Sequence, residues 1–340
     1  MSHSAAAAED RRQLRVTFAA LTFACVLVLF AACLFGSTPI EIDRVLAALL
    51  GRGDLGDQLV VVHIRLPRAI TAFAVGAALG ASGAALQGLL RNPLAEPGVL
   101  GVSAVASLGA TGVLYYGYAA LSAWAMPLAA IGGALMGTAL IAFAALRTTS
   151  VVTLILIGVG LSSFAGAAMN LMMNLAPNPF SLADMVNWML GSVANRSFLD
   201  LAFAAPFLVA GLGVLFTVRR GLSALTLGEE AASGVGLNLR RQRLLVVLGA
   251  GLATGAAVSL AGIIGFIGIV APHIIRPMVD HDPARSLLPS ALLAGLILVL
   301  ADIGVRLMPT VSELKLGVVA ALIGAPAFMW IAMQRRSVHD

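Results

Sequence analysis

The sequence holds 340 residues, 60% hydrophobic and 11% charged, with 21 Lys and Arg against 16 Asp and Glu for a formal net charge of +5. A mean hydropathy of +0.98 leaves too little polar surface to coat a soluble globule, so an all-α integral membrane protein is expected, with no nucleic-acid partner. The 36 glycines, with abundant alanine, suit helices that approach closely in lipid.

Residues 1–15, with Arg11, Arg12 and Arg15 beside Glu9 and Asp10, read as a disordered tail ahead of a first span at about 16–35. Cys25 and Cys33 share that span about 12 Å apart, too far to bridge. Phe30 to Cys33 is similar to a lipoprotein cleavage box, but apolar residues continue past it and an uncleaved span is expected. Residues 36–64 carry Glu41, Asp43, Asp54 and Asp57 around an amphipathic IDRVLAALLG piece that suits the outer membrane interface.

From 66 to 90 the only charge is Arg68, giving enough apolar helix to cross a core of about 30 Å at about 1.5 Å per residue. Two prolines within residues 92–98 end that helix in a turn. Further spans are expected at about 98–116, 124–146 and 151–172, with Arg147 and Thr148-Thr149-Ser150 as a tight turn between the last two. Pro177, Asn178 and Pro179 break the next helix, and 178–197 reads as a short outer helix with Trp188 as an interfacial anchor. A sixth span follows at 199–218.

Residues 219–243 form the largest internal polar loop, with Arg219, Arg220, Arg240, Arg241 and Arg243, Glu229 and Glu230, and short helical pieces expected over 222–240. Spans resume at about 241–259, 260–275, 287–307 and 313–333. About ten spans thus form one membrane domain over 16–333, with a short tail at 334–340. With the N-terminus inside, the inner segments hold twice as many of the 21 Lys and Arg as the outer ones, so both termini are expected in the cytoplasm. GAALGASGAALQG (76–88) is echoed by GAGLATGAAVSLAG (249–262) five spans later, as in an inverted repeat, although Gly and Ala richness alone can generate such an echo.

Several stretches match one another's company closely: RLPR (65–68), LQG (86–88), RNPLAEPGVLGVS (91–103), LGEEAASGVGLN (227–238), GIIGFIGIVAPHIIR (262–276), LADIGVRL (300–307) and LGVVAALIGAPAFMWI (316–331). Together they cover most of the chain and resemble the FecCD-type (type II) permease subunits of bacterial ABC importers for iron chelates and cobalamin. The resemblance implies a homodimer in the bacterial inner membrane, two separate ATPase subunits that use ATP and Mg, and a periplasmic substrate-binding protein. The chain itself would be no enzyme and would bind no cofactor or metal. The implied cargo is an iron complex, with haem preferred on the 86–103 stretch and ferric siderophores and cobalamin as alternatives.

The chain has no G-x-x-x-x-G-K-[ST] loop, and its only lysine is Lys315, so it cannot cradle ATP by that route. Gly228, Glu229, Glu230, Ala231, Ala232 and Gly234 read either as an ordinary charged inner loop or, as the resemblance implies, as coupling helices that dock into the ATPase. Arg65, Arg68 and Arg306 fall at the outer mouth and need acidic company. The resemblance assigns them to glutamates of the binding protein, while Asp302, four residues before Arg306, offers an internal partner instead. Ser162, Ser163, Met169, Asn170 and Met173 give the fifth span soft and weakly polar atoms suited to lining a passage. The inner gates are implied at Asn92, Pro93 and Leu94 and at Thr148, Thr149 and Ser150.

His63, His273 and His281 have no second ligand at helical spacing and are not read as metal or haem ligands. Gly80-Ala81-Ser82-Gly83 is similar to the G-x-S-G element of rhomboid proteases, with Ser82 as nucleophile, but no histidine falls mid-span. An ion-coupled transporter would leave ionisable groups near the midplane, whereas Asp200 and Asp302 fall near span ends.

Overall fold

The computed structural model describes residues 2–36, 38–148, 150–310 and 312–334. All regular structure among them is helical: α1 (Ser2–Leu34), α2 (Ile42–Leu49), α3 (Leu55–Gln58), α4 (Leu66–Leu90), α5 (Val102–Tyr115), α6 (Ala125–Arg147), α7 (Val151–Asn174), α8 (Pro179–Met189), α9 (Phe198–Thr217), α10 (Arg219–Ala224), α11 (Glu229–Gly234), α12 (Leu239–Ala261), α13 (Ile267–Ile275), α14 (Pro283–Leu307) and α15 (Leu316–Gln334). Among the described residues 7 helices are long and apolar enough to cross a membrane, and α5, α15 and the α13 segment are shorter apolar helices.

Several expected boundaries move, each for a local reason. α1 begins at Ser2, so the expected tail is helical, as its Ala5–Ala8 run favours. α4 is entered through α3 and a π-helical stretch, Leu59–Arg65, which carries the helix back to residue 55. The expected eighth span at 260–275 is displaced. α12 runs on to Ala261, then Gly262 (φ 69°) and Phe266 (φ 65°) turn the chain in left-handed geometry before α13 starts. The expected interfacial piece becomes α2, which buries Val45 and Ala48 against Cys33 and Val61 and leaves Ile42, Leu46 and Leu49 exposed.

Two helices form the centre. In the 55–90 helix 83% of the apolar window is buried and in α12 78%, against 17% in α7 and 22% in α9. Small residues make this possible: a Cβ at Gly76 would stand 2.5 Å from the Ala294 carbonyl oxygen, so α4 and α14 meet backbone to backbone. At Gly83 the α4 backbone meets that of α13 at Gly268.

The packing repeats itself. α4 lies on α14 as α12 lies on α6, and α5 lies on α12 as α13 lies on α4. The α5–α6, α5–α7 and α6–α7 neighbours likewise recur as α13–α14, α13–α15 and α14–α15. The sequence echo therefore sits on the two equivalent central helices, and the short helices α5 and α13 each follow an unwound turn. These turns touch: Glu96 accepts a 3.4 Å hydrogen bond from the Phe266 amide.

Candidate functional site

Three clusters hold the residues singled out by the sequence. The first lies where α1 ends and α4 begins. Arg65 points inward from the π-helical stretch, with its Nη1 donating to the Cys33 and Leu34 carbonyls at 2.9 and 2.7 Å and its Nη2 to the Thr38 carbonyl. The Cys33 and Leu34 carbonyls are orphan acceptors of the α1 C-terminus, where a cation is favoured. Arg68 grips both oxygens of Asp302 through Nε at 3.0 and 3.1 Å, adds Nη2 at 2.8 Å, and also binds Glu313. Arg306 donates from Nη1 to the Ala32 and Phe35 carbonyls at 3.0 and 3.1 Å. Its Nε lies 3.2 Å from Asp302 Oδ2 without aiming its N–H at the oxygen, and its Nη2 is buried with no hydrogen bond.

Asp302 is fully buried, held between two guanidiniums. The three arginines and Glu313 line a cavity of about 380 Å³. With Asp302 counted, the cluster carries one net positive charge. The Asp302–Arg306 pairing anticipated from their spacing is present, and the Arg68–Asp302 grip and Glu313 were not anticipated. Glu313 is far from Arg68 in sequence, and nothing but the fold joins them.

The second cluster is the segment between α9 and α12. Gly228, at φ 101° and ψ 159°, occupies backbone space open to glycine and reverses the chain ahead of α11. Glu229 accepts both contacts from Arg243 Nη2, at 2.7 and 2.8 Å, and Arg243 is buried. Ala232 is fully buried, so these two residues moor α11 to the start of α12. Glu230, Ala231 and Gly234 face solvent, as do the apolar Leu227 and Val235, both more than two-thirds exposed. Ser223 Oγ is bonded to Asp282, whose Oδ1 also caps α14 through the Ala284 amide at 2.9 Å. The segment is thus tied to α14, and through it to α4.

The third group comprises the turns and the fifth span. Asn92 Oδ1 accepts from the Leu94 amide at 3.0 Å, setting the turn that contains Pro93. Gln87 supports the turn from below, donating to the Ala95 carbonyl at 3.3 Å and accepting from Arg276 at 2.7 Å. Ser150 bonds the Thr148 hydroxyl through its amide at 3.1 Å and caps α7 by accepting from Thr153 at 3.2 Å, while Thr149 lies outside the described residues. On α7, Met169 is buried, Ser162 approaches the Gly98 carbonyl at 3.5 Å, Met173 is half-buried beside the Met185 and Trp188 cluster, and Asn170 is exposed.

Ser82 lies fully buried inside α4, with its hydroxyl making no hydrogen bond, which suits packing and not nucleophilic attack. Asp200 forms a capping box with Ser197 at the start of α9, as its position near a span end suggests. Asp302 lies near the C-terminal end of α14, as expected, and is buried between Arg68 and Arg306.

Residues 24–334 match the FecCD transport family. The permease protein YvrB of Bacillus subtilis, described as an uncharacterised ABC transporter permease, is 39% identical over 282 residues, covering 81% of this chain and 79% of YvrB. The vitamin B12 import system permease protein BtuC of Salmonella typhi is 40% identical over 283 residues, covering 82% of this chain and 84% of BtuC. A solved metal-chelate type ABC transporter in an inward-facing conformation superposes with a TM-score of 0.83 at 28% identity, covering 94% of this chain and 99% of that one.

Proposed function

This chain belongs to the FecCD transport family, and from that membership we propose that it is the membrane subunit of an ATP-driven importer that carries a metal chelate inward. It works as a homodimer in a bacterial inner membrane, with ten spans and both termini in the cytoplasm. Two ATPase subunits bind the segment around α11, and a periplasmic binding protein delivers cargo to the Arg65, Arg68 and Arg306 end. ATP and Mg are used by the ATPase, not by this chain.

The observation that carries the reading is the division of labour in the 219–243 segment. Glu229 and Ala232 hold α11 to the membrane helices, while Leu227, Glu230 and Val235 project outward as an apolar and acidic tip. Exposed aliphatic side chains beside an acidic one, on a helix moored from behind, give a docking partner apolar surface to cover. The Ser223–Asp282 bond gives a path from that tip to α14 and the central helices.

At the other end, the cavity lined by three arginines carries a net positive charge, which suits a carboxylate from the binding protein. Because Arg65 and Arg68 are also bonded within the chain, docking adds to an assembled cluster and does not rely on loose surface cations. The turns at Asn92–Leu94 and Thr148–Ser150 serve as inner gates, and α7 lines the passage, with Asn170 exposed, Ser162 and Met173 half-buried and Met169 packed behind them.

For cargo, the 86–103 stretch favours haem and the name of the BtuC relative favours cobalamin. Both are metal complexes of tetrapyrrole-derived macrocycles. The discriminating experiment purifies the chain with its partner ATPase and measures ATP hydrolysis as binding protein loaded with cobalamin, haem or a ferric siderophore is added. Stimulation by one loaded form identifies the cargo class. An assembled complex that responds to none of the three removes the metal-chelate assignment.

A further inference from the structure

A separate cavity of about 390 Å³ opens between the end of α5, the short helix α8, the loop 192–196 and the start of α15. Asp184, Asn187, Ser192, Asn195, Arg196 and Lys315 give it a polar side, and Leu114, Met126 and Trp188 belong to its apolar wall. Lys315, the only lysine of the chain, follows Glu313 of the arginine cluster within about 7 Å of chain. Met173 of α7 packs on the apolar group that contains Leu114, Met126 and Trp188. The cavity thus adjoins both the cluster assigned to the binding protein and the helix assigned to the passage.

Its wall holds donors without acceptors. Trp188, expected from the sequence as an interfacial anchor, is only 8% exposed, and its Nε1 makes no hydrogen bond. Arg196 Nε is likewise buried without one, and the guanidinium carbon stands 5.6 Å from the centre of the Trp188 ring. Neither an indole N–H nor a guanidinium can accept, so each needs an acceptor brought from outside. Burial pulls the Arg196 guanidinium below the usual arginine range, and Asp200, the acid that opposes this, is engaged by the Ser197 amide and hydroxyl at 2.8 and 2.7 Å. Asp184, the one carboxylate of the lining, is exposed and bonds to neither orphan nitrogen. A guanidinium over an aromatic face, with two buried N–H groups unanswered, is suited to a pair of anionic oxygens.

The walls are fixed in advance. The Ser192 amide donates to the Ala261 carbonyl at 2.7 Å and the Gly317 amide to the Gly191 carbonyl at 3.2 Å, which knots the loop to the end of α12 and the start of α15. A Cβ at Gly262 would strike the Trp188 carbonyl oxygen, and one at Gly317 that of Leu190, so the backbones are in direct contact. Asn195 holds a left-handed φ of 57° immediately before Arg196. A site set this firmly loses little freedom when it is filled.

On the importer reading, we infer that this cavity receives an ionised carboxylate on the rim of the cargo once the binding protein has delivered it. The volume is at the small end of the roughly 300–1,000 Å³ usual for small-molecule sites, so it takes one edge of a chelate and not the whole. The donors also choose between cargo classes. A chelate with free carboxylates, such as the two propionates of haem, is favoured over cobalamin, whose corrin side chains are amides. An amide brings no charge and adds N–H groups to a wall that already has too many.

The test titrates haem, haem dimethyl ester and cobalamin into the full chain in detergent, with and without its ATPase and without binding protein, and reads the absorbance of the bound chelate. The ester keeps the metal and the ring and loses both charges, and partition into micelles is common to all variants. Haem is expected to bind about tenfold more tightly than the ester, as one charge-assisted contact gives. Arg196→Gln should abolish that preference, Trp188→Phe and Lys315→Gln should lower it several-fold, and Arg52→Gln, at an exposed arginine outside the cavity, should keep it. Should Arg196→Gln fail to fold, the other two variants decide. Equal affinity for haem and ester in the wild type, as for a cavity filled by water alone, overturns the inference, and so does a preference untouched by the cavity variants or lowered as much by Arg52→Gln. Cobalamin binding that weakens in Arg196→Gln overturns the choice of carboxylate. Failure of the importer reading shows separately, as no association with the ATPase, and leaves this comparison readable on the chain alone.

Discussion

Asp302 is the residue on which the outer end depends. It is fully buried, and removing its charge would leave Arg68 and Arg306 sharing a poorly solvated site with the half-exposed Glu313 alone. Asp302→Asn is therefore expected to cost about 3–5 kcal/mol, the usual penalty for breaking a buried ion pair from one side. Glu313→Gln should cost no more than about 1 kcal/mol, since that partner remains accessible to water. Thermal unfolding of the two variants in one detergent checks the order. Equal losses would show that Asp302 has no special place in the cluster.

The acidic pair at residues 229 and 230 illustrates what a sequence conceals. The two glutamates are adjacent and chemically identical, and the motif that contains them assigns both to one task. The fold separates them: Glu229 turns in to Arg243, and Glu230 turns out. Their direction depends on the backbone reversal at Gly228 and on the burial of Ala232, neither of which has a signature at residue level. Glu229→Lys should destabilise the chain itself, whereas Glu230→Lys should fold normally and weaken association with the ATPase. Co-purification yields and unfolding temperatures of both variants separate these effects, and identical behaviour would contradict the inward and outward assignment.

At the scale of elements, the 7 helices long and apolar enough to cross a membrane were legible, because hydrophobic stretches interrupted by Pro, Gly and charge mark such helices directly. The echo between 76–88 and 249–262 likewise pointed to α4 and α12, which occupy equivalent places in the packing. What was not legible was how each helix ends. Gly262 and Phe266 break the chain after α12 in a run that reads as uniformly apolar, and the π-helical entry to α4 has no compositional mark. The Arg68–Asp302 grip escaped notice for another reason: the two are joined across the α4–α14 contact, and sequence distance carries no information about that pairing.

That contact makes its own prediction. α4 approaches α14 through Gly76 and Gly80, where added side chains would strike the backbone of α14. Gly80→Val should destabilise the chain by at least the roughly 1–3 kcal/mol typical of overpacking, because the obstructing atoms are backbone and cannot rotate away. Gly160→Val on α7, where a Cβ meets open space, should cost far less. Yield and unfolding temperature of the two variants in detergent test this, and a tolerated Gly80→Val would show that the central helices are not in close contact.

For the whole molecule, charge is distributed by end. The cavity lined by Arg65, Arg68 and Arg306 carries one net positive charge with Asp302 and Glu313 counted, and exposed arginines gather around the 219–243 segment. Association with a binding protein should accordingly weaken as salt rises and the screening length falls from about 8 Å at 0.15 M to about 3 Å at 1 M. An affinity independent of salt would remove electrostatic docking from the account.

The most direct measurement is cargo accumulation in sealed vesicles that contain this chain and its ATPase, with loaded binding protein outside and either ATP or ADP inside. The account predicts accumulation against a gradient with ATP, none with ADP, and loss of accumulation in Glu230→Lys. Equal uptake with ADP, or uptake driven instead by an imposed ion gradient, would contradict ATP-driven import by this chain.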